Sequence, residues 1–190
     1  MTGQLKHRAR HIVATVLAIF VCGGTRIARA DQDEPCIERI RSHSPTVHAL
    51  IREGSARSAT FRQLVDTINA SDGLVYVNQG PCGHGVRSCL ANKVTVAGPY
   101  RILHVLVNTR AAEWDLIGSI GHELRHAIEV LAVPGVNDFA SMFAFYSRQG
   151  WMVGSSFETQ AAVDAGTAVR SEVRRTNRNL ELKTEKSKGL

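Results

Sequence analysis

The chain has 190 residues and a formal charge of +6. Residues 1–30 hold five of its 23 Lys and Arg and none of its 17 Asp and Glu, so the remainder carries 18 bases against 17 acids, a formal +1. That near-neutral balance is no basis for nucleic-acid binding, and the remaining ~160 residues suffice for one domain with its own core.

At the N-terminus, Lys6, Arg8 and Arg10 precede a short apolar run, Ile12 to Val21, and then the small-x-small triplet Ala28-Arg29-Ala30. This order predicts a secretory signal peptide over residues 1–30, cut after Ala30, and hence a secreted or periplasmic protein. The run falls well short of the ~20 residues a membrane span needs, so no stable span is expected once it is removed. Cys22 lacks a lipoprotein cleavage box, so no lipid anchor is expected.

Three cysteines follow: Cys36, Cys82 and Cys89. In an oxidising compartment, Cys82 and Cys89 are expected to close a disulfide around the loop containing Gly83, His84 and Gly85. Such a bridge contributes about 2.5 kcal/mol in the chain-entropy model. Cys36 is then left over, buried or intermolecular. A Cys82/His84/Cys89 metal site matches no common zinc spacing.

Ser44-Pro45 opens a short helix with Pro at its first position, running towards Glu53 and stopping at Gly54. A second helix begins near Thr60, where Thr60 and Gln63 have capping-box spacing, and Phe61, Leu64, Val65 and Ile68 give it a buried stripe. Gly73 ends that pattern. Three strands are predicted next, over Leu74–Val77, Lys93–Val96 and Arg101–Val107, the last two split by Gly98-Pro99. Short connections favour an antiparallel meander. His104 alternates with apolar neighbours and reads as structural.

A helix over about 112–132 follows, with Trp114, Leu116, Ile117, Ile120, Leu124, Ala127, Ile128 and Leu131 as its apolar stripe and Pro134-Gly135 as its stop. Another runs from about Asn137 to Gly150 with Phe139, Met142, Phe143 and Tyr146 at core spacing. A last long helix begins near Ser155. Residues 31–175 read as one α+β domain, a small antiparallel strand cluster packed on the 112–132 helix with further helices after it, and 176–190 as a charged, disordered tail.

The helix over 112–132 contains the chain's most informative feature, His122-Glu123-Leu124-Arg125-His126. Residues i and i+4 share a helix face, so His122 and His126 can direct two imidazoles at one metal ion. Glu123 can reach a water at that ion without ligating it, which suits a general base in metal-assisted hydrolysis. A third ligand is needed, and three acids compete. Glu158 could face the helix from the last one, where Ala161, Ala162 and Ala165 permit close approach, although Ser155 and Glu158 also have capping-box spacing. Glu129 lies about a turn beyond the histidines and better fits a hydrogen bond to a ligand. Asp138 also suits a helix start. The order of preference is Glu158, Glu129, Asp138. Tyr146, Tyr76 and Arg125 are candidates for stabilising an oxyanion, with none selected.

Gly121-His122-Glu123-Leu124-Arg125-His126-Ala127 resembles the active-site helix of zincin metallopeptidases, and its wording resembles the gluzincin branch, within a small bacterial secreted group. The resemblance implies one Zn2+ per chain held by His122, His126 and Glu158, Glu123 as catalytic base, and a peptide or protein substrate. It also implies a zincin-like fold. The chain departs from the best-known gluzincins at Phe157-Glu158-Thr159-Gln160-Ala161, which lacks the usual Asn-Glu opening, and Glu129 stands where metzincins have Gly. The alternative expectation is a non-catalytic metal-binding or cell-envelope interaction protein.

Overall fold

A computed structural model describes residues 39–83, 85–153 and 156–188. The expected signal peptide, Cys36, His84 and Ser155 lie outside them. The described residues form five helices and a mixed sheet, an α+β arrangement, with a small separate hairpin. Among them, no helix is long and apolar enough to cross a membrane.

In chain order the elements are β1 (Ile40–Arg41), α1 (Pro45–Arg57), α2 (Ala59–Asn69), β2 (Gly73–Gln79), β3 (Ser88–Leu90), β4 (Thr95–Ala97) and β5 (Tyr100–Val107). Then come α3 (Glu113–Leu131), α4 (Phe139–Gln149), β6 (Trp151–Val153), β7 (Ser156–Glu158) and α5 (Gln160–Lys188). The eight residues of β5 organise the sheet. β2 runs parallel to it along one edge, Gly73 opposite Arg101 through Gln79 opposite Val107, and β1 continues the sheet beyond β2. On the other edge β3 and β4 share the partner in succession, both antiparallel: β3 pairs with residues 105–107 and β4 with 100–102.

The antiparallel meander is therefore corrected. After β2 the chain crosses to the far edge of β5 through the Gly80-Pro81 segment and the cysteine loop, so β2 and β5 meet in parallel. Cys82 and Cys89 are bridged, their Cα atoms 5.7 Å apart, which closes that loop at the start of the edge strand. Gly98, at φ 58°, makes the tight turn from β4 into β5.

β2 and β5 alternate buried with half-buried residues, so one face of the sheet meets the core. Val75, Val77, Leu103, Val105 and Val107 pack there with Ile51, Phe61 and Ile68 from α1 and α2, and with Ile117, Ile120, Leu124 and Ala127 from α3. His104 lies on the other face, stacked on Tyr76 with ring centroids 5.6 Å apart.

Several boundaries differ from expectation. Gly54 does not stop α1, which continues to Arg57; the residue is buried because a Cβ there would come within 2.9 Å of Phe61 and Ile117. α2 starts one turn-position earlier, with Ser58 as its cap: Phe61 N donates to Ser58 Oγ at 3.0 Å. Thr60 is engaged instead by Glu172 of α5, to whose carboxylate its N and Oγ1 donate at 3.0 and 2.8 Å. In α4, Met142, Phe145 and Tyr146 are buried, whereas Phe139 and Phe143 are exposed. The last helix begins at Gln160, not near Ser155, and continues to Lys188 through the stretch read as a tail. Leu180 and Leu182 of that stretch are exposed.

α3 and α5 pack closely through glycines as well as alanines. A Cβ at Gly121 would lie 2.9 Å from Val169, and one at Gly166 would lie 2.9 Å from the Cβ of His122. The far end of α3 is held by Arg101 of β5, which is 5% exposed. Its guanidinium donates to the Val130, Leu131, Val133 and Val136 carbonyls and forks onto Asp72 with two 2.8 Å bonds. This supplies the acceptor-rich end of the helix with a buried cation.

Candidate metal centre

α3 is amphipathic in an unusual sense: one face is core, and the other carries His122 and His126 into a cavity of about 130 Å³. Their rings are 4.9 Å apart and nearly perpendicular. His122, Glu123 and His126 each offer a donor atom within 4.8 Å of the others. Glu158 comes from outside α3. Its Oε1 lies 3.3 Å from the Nε2 of His122 and 3.3 Å from the Nε2 of His126. It does not open a helix; it is the last residue of β7, delivered across the cleft by the β6–β7 hairpin. Glu158 is therefore not the third residue of a helix, although its Oε1 does accept a backbone amide, Thr159 N at 2.9 Å. Thr159 takes the cap position, its Oγ1 accepting from Ala162 N at 3.2 Å.

Glu129 reaches the other side of His126, whose Nδ1 donates to Glu129 Oε2 at 3.0 Å. A carboxylate only accepts, so the proton is on Nδ1 and Nε2 is the nitrogen turned to the cleft. Glu129 is itself held by Thr159, whose Oγ1 donates to Glu129 Oε1 at 2.8 Å. His122 packs against α5, its Cβ 2.9 Å from where a Cβ at Gly166 would stand. Asp138 is elsewhere. Its exposed side chain caps α4 and accepts from Ser141 N at 2.8 Å.

Glu123 is buried on the sheet side of the cavity. Its Oε1 accepts from Ser88 Oγ at 2.8 Å and its Oε2 from Leu90 N at 2.7 Å, both donors belonging to the edge strand β3. Burial pushes its pKa up, against the opposing pull of His126 and these two hydrogen bonds. Burial also lowers the pKa of His122, and the neighbouring His126 adds to that. For His126 burial acts downward too, but the bonds to Glu129 and Glu158 overcome it and hold the imidazole up at about 9. Glu158 behaves conversely: burial would raise it, and the two histidines bring it below the ordinary carboxylate range.

Tyr146 packs its ring edge against His126 and donates to the His126 carbonyl at 3.0 Å. Burial drives its pKa upward, so it remains a phenol. Arg125 is half-exposed and points to Glu129, with 3.6 Å between Nε and Oε1. Tyr76 is on the outer face of the sheet, stacked on His43 and His104.

The groups missed at the sequence level are Ser88, Leu90 and Thr159. Ser88 and Leu90 flank Cys89, and that adjacency is the only local sign that the cysteine loop and the histidine helix meet. The donor set of two imidazoles and one carboxylate is the chemistry zinc takes in three-ligand sites. Ligands about 2.0–2.1 Å from a tetrahedral ion lie roughly 3.3–3.4 Å from one another, which agrees with the two 3.3 Å separations here. No protein-family model, no curated protein and no solved structure matches the chain.

Proposed function

We propose that this chain is an exported, zinc-dependent hydrolase acting on peptides, with a zincin-like arrangement of helix, edge strand and third ligand. The observation that carries the reading is the convergence of three donors from two elements: Nε2 of His122, Nε2 of His126 and Oε1 of Glu158, with both nitrogen–oxygen separations 3.3 Å. His122, His126 and Glu158 would hold the ion, and Glu123 would remain outside the ligand set.

When bound, zinc polarises the scissile carbonyl and brings the pKa of a coordinated water towards 7. Glu123 would accept a proton from the attacking water at its carboxylate and pass it to the leaving amine. Two features of the chain support this role. Ser88 Oγ and Leu90 N occupy one acceptor position on each carboxylate oxygen, and a carboxylate has about four, so a water can still be bound. Burial raises the pKa of Glu123, which moves it towards the working range of a general base. Glu129 fixes the tautomer and orientation of His126.

The test separates base from ligand. Glu123→Gln should bind zinc like the wild type and lose about 10²–10⁴ in peptide hydrolysis rate. Glu158→Ala should lose zinc affinity and, as a consequence, activity. A chain that binds no zinc, or one whose Glu158→Ala variant binds it normally, would defeat the proposal. Zinc bound with no hydrolysis of any peptide would favour a non-catalytic metal-binding protein.

A further inference from the structure

Exposed apolar side chains are concentrated in one part of the molecule. Of the ten large ones exposed among the described residues, five lie between residues 139 and 153: Phe139, Phe143, Trp151, Met152 and Val153. They belong to α4 and to the β6 strand that follows it. On α4, Phe139 and Phe143 are one turn apart, share a face with the exposed Ala140 and Ala144, and stack at 6.2 Å. Phe143 meets Phe157 at 5.3 Å, and Phe157 stacks on the buried Tyr146 at 5.6 Å, so a ladder of rings runs from beside His126 out to Phe139. An apolar surface gathered in this way marks a contact with something apolar.

The hairpin indicates what that is. Its register pairs Trp151 with Glu158, Met152 with Phe157 and Val153 with Ser156. Side chains alternate between the two faces of a strand, so Met152 stands opposite to Trp151 and Val153. Met152 and Val153 are nevertheless equally exposed, at 54%. A folded partner laid on one face would leave the other in water, whereas the acyl–headgroup boundary of a bilayer is fluid and closes round both. Charge agrees with a lipid surface. Residues 139–157 hold a single charged residue, Arg148, which is exposed. The acids at either end are engaged elsewhere: Asp138 caps α4 and Glu158 faces the histidines. Trp is also a side chain that settles at headgroup depth, and an amphipathic element with aromatic residues on one side and a base at its edge lies in that plane.

We propose that α4 and the β6–β7 hairpin dock the protein on an anionic lipid bilayer, with Phe139, Phe143, Trp151, Met152 and Val153 entering the acyl–headgroup boundary and Arg148 at the phosphates. Val153 also lines the cavity of the metal centre, so the cleft opens at the lipid surface. Docking of this kind requires neither bound zinc nor hydrolysis.

The full chain contains an apolar run of its own at Ile12 to Val21, so the readout is local to Trp151 and not vesicle binding as such. The chain has two tryptophans, and in a Trp114→Phe chain the emission reports Trp151 alone. Vesicles of phosphatidylglycerol and phosphatidylcholine in equal parts should shift that emission to shorter wavelength, and lipids brominated along the acyl chain should quench it. Phe139→Ser together with Met152→Ser, both at exposed positions, should raise the lipid concentration at half-quenching at least ~10-fold. Arg148→Gln should raise it about 5-fold. Circular dichroism and urea unfolding should match the parent chain in each case. An emission that vesicles leave unshifted and unquenched would overturn the proposal, as would quenching unaltered by the double substitution. So would an emission that shifts with protein concentration alone, with a dimer in sedimentation and no quenching by lipid, because that face would then join two copies of the chain.

Discussion

The substitution Arg101→Met tests whether the histidine helix is positioned from its far end. Arg101 is 5% exposed and makes six hydrogen bonds, two to Asp72 and four to carbonyls at and beyond the end of α3. Methionine fills much of the space but offers no donor, so Val130, Leu131 and Val136 keep buried acceptors with one partner fewer. Removing one member of a buried, hydrogen-bonded charge network costs about 3–5 kcal/mol. In a domain of this size that corresponds to a fall of roughly 6–20 °C in Tm. Arg101→Lys keeps the charge but loses the planar fork that serves five partners at once, so it should recover less than half of the loss.

The assay is urea unfolding followed by circular dichroism, with the disulfide intact and at several pH values. Arg101 holds the Asp72 carboxyl below its ordinary value. A carboxylate with a depressed folded pKa stabilises above its unfolded value of ~3.9, and that contribution is lost as pH falls through the lower folded value. Asp72 is 43% exposed on its side chain, so this share is small. The gap between wild type and Arg101→Met should therefore narrow slightly below pH ~4, while the larger share from the helix carbonyls persists. A variant within ~1 kcal/mol of wild type at pH 7, or Arg101→Lys equal to wild type, would refute the reasoning.

Three further outcomes are expected. Replacing both Cys82 and Cys89 by Ser should cost about 2.5 kcal/mol in the chain-entropy model, and peptide mapping without reduction should find the two linked in the wild type; a free thiol at either position would contradict the pairing. Glu129→Ala should lower zinc affinity or activity about 10–100-fold by releasing the His126 ring, measured by competition with a chromophoric chelator; an unchanged affinity would show that the ring needs no such support. Gly166→Ala places a methyl against the Cβ of His122 and should destabilise by about 1–3 kcal/mol while weakening zinc binding, whereas a variant unchanged in both would mean that α5 can shift away freely.

What could be read from the sequence was what is local. α3 was legible because its apolar stripe runs for five turns and Pro134 closes it, so its observed span of Glu113–Leu131 departs little from the expected 112–132. Short strands carry no such redundancy. β6 and β7 have three residues each, too few for alternation to appear. Periodicity marks a strand but not its partner, so nothing in Leu74–Val77 indicated that it would lie parallel to β5. The start of α2 shows the same limit at finer scale. Ser58 and Thr60 are both competent caps, and the choice is decided by Glu172, more than a hundred residues away, which bonds to both.

The site divides along the same line. His122, Glu123, His126 and Glu129 occupy one helix, so helical geometry alone brings Glu129 to His126. The remaining constraints come from two other places: Glu158 from the hairpin, and Ser88 and Leu90 from the edge strand. Those last two bracket Cys89, so the bridge to Cys82 fixes the strand that in turn holds Glu123. A histidine pair at helical spacing can be written into five residues. A carboxylate held beside it by donors on a cross-linked strand requires the sheet, the helix and the disulfide together.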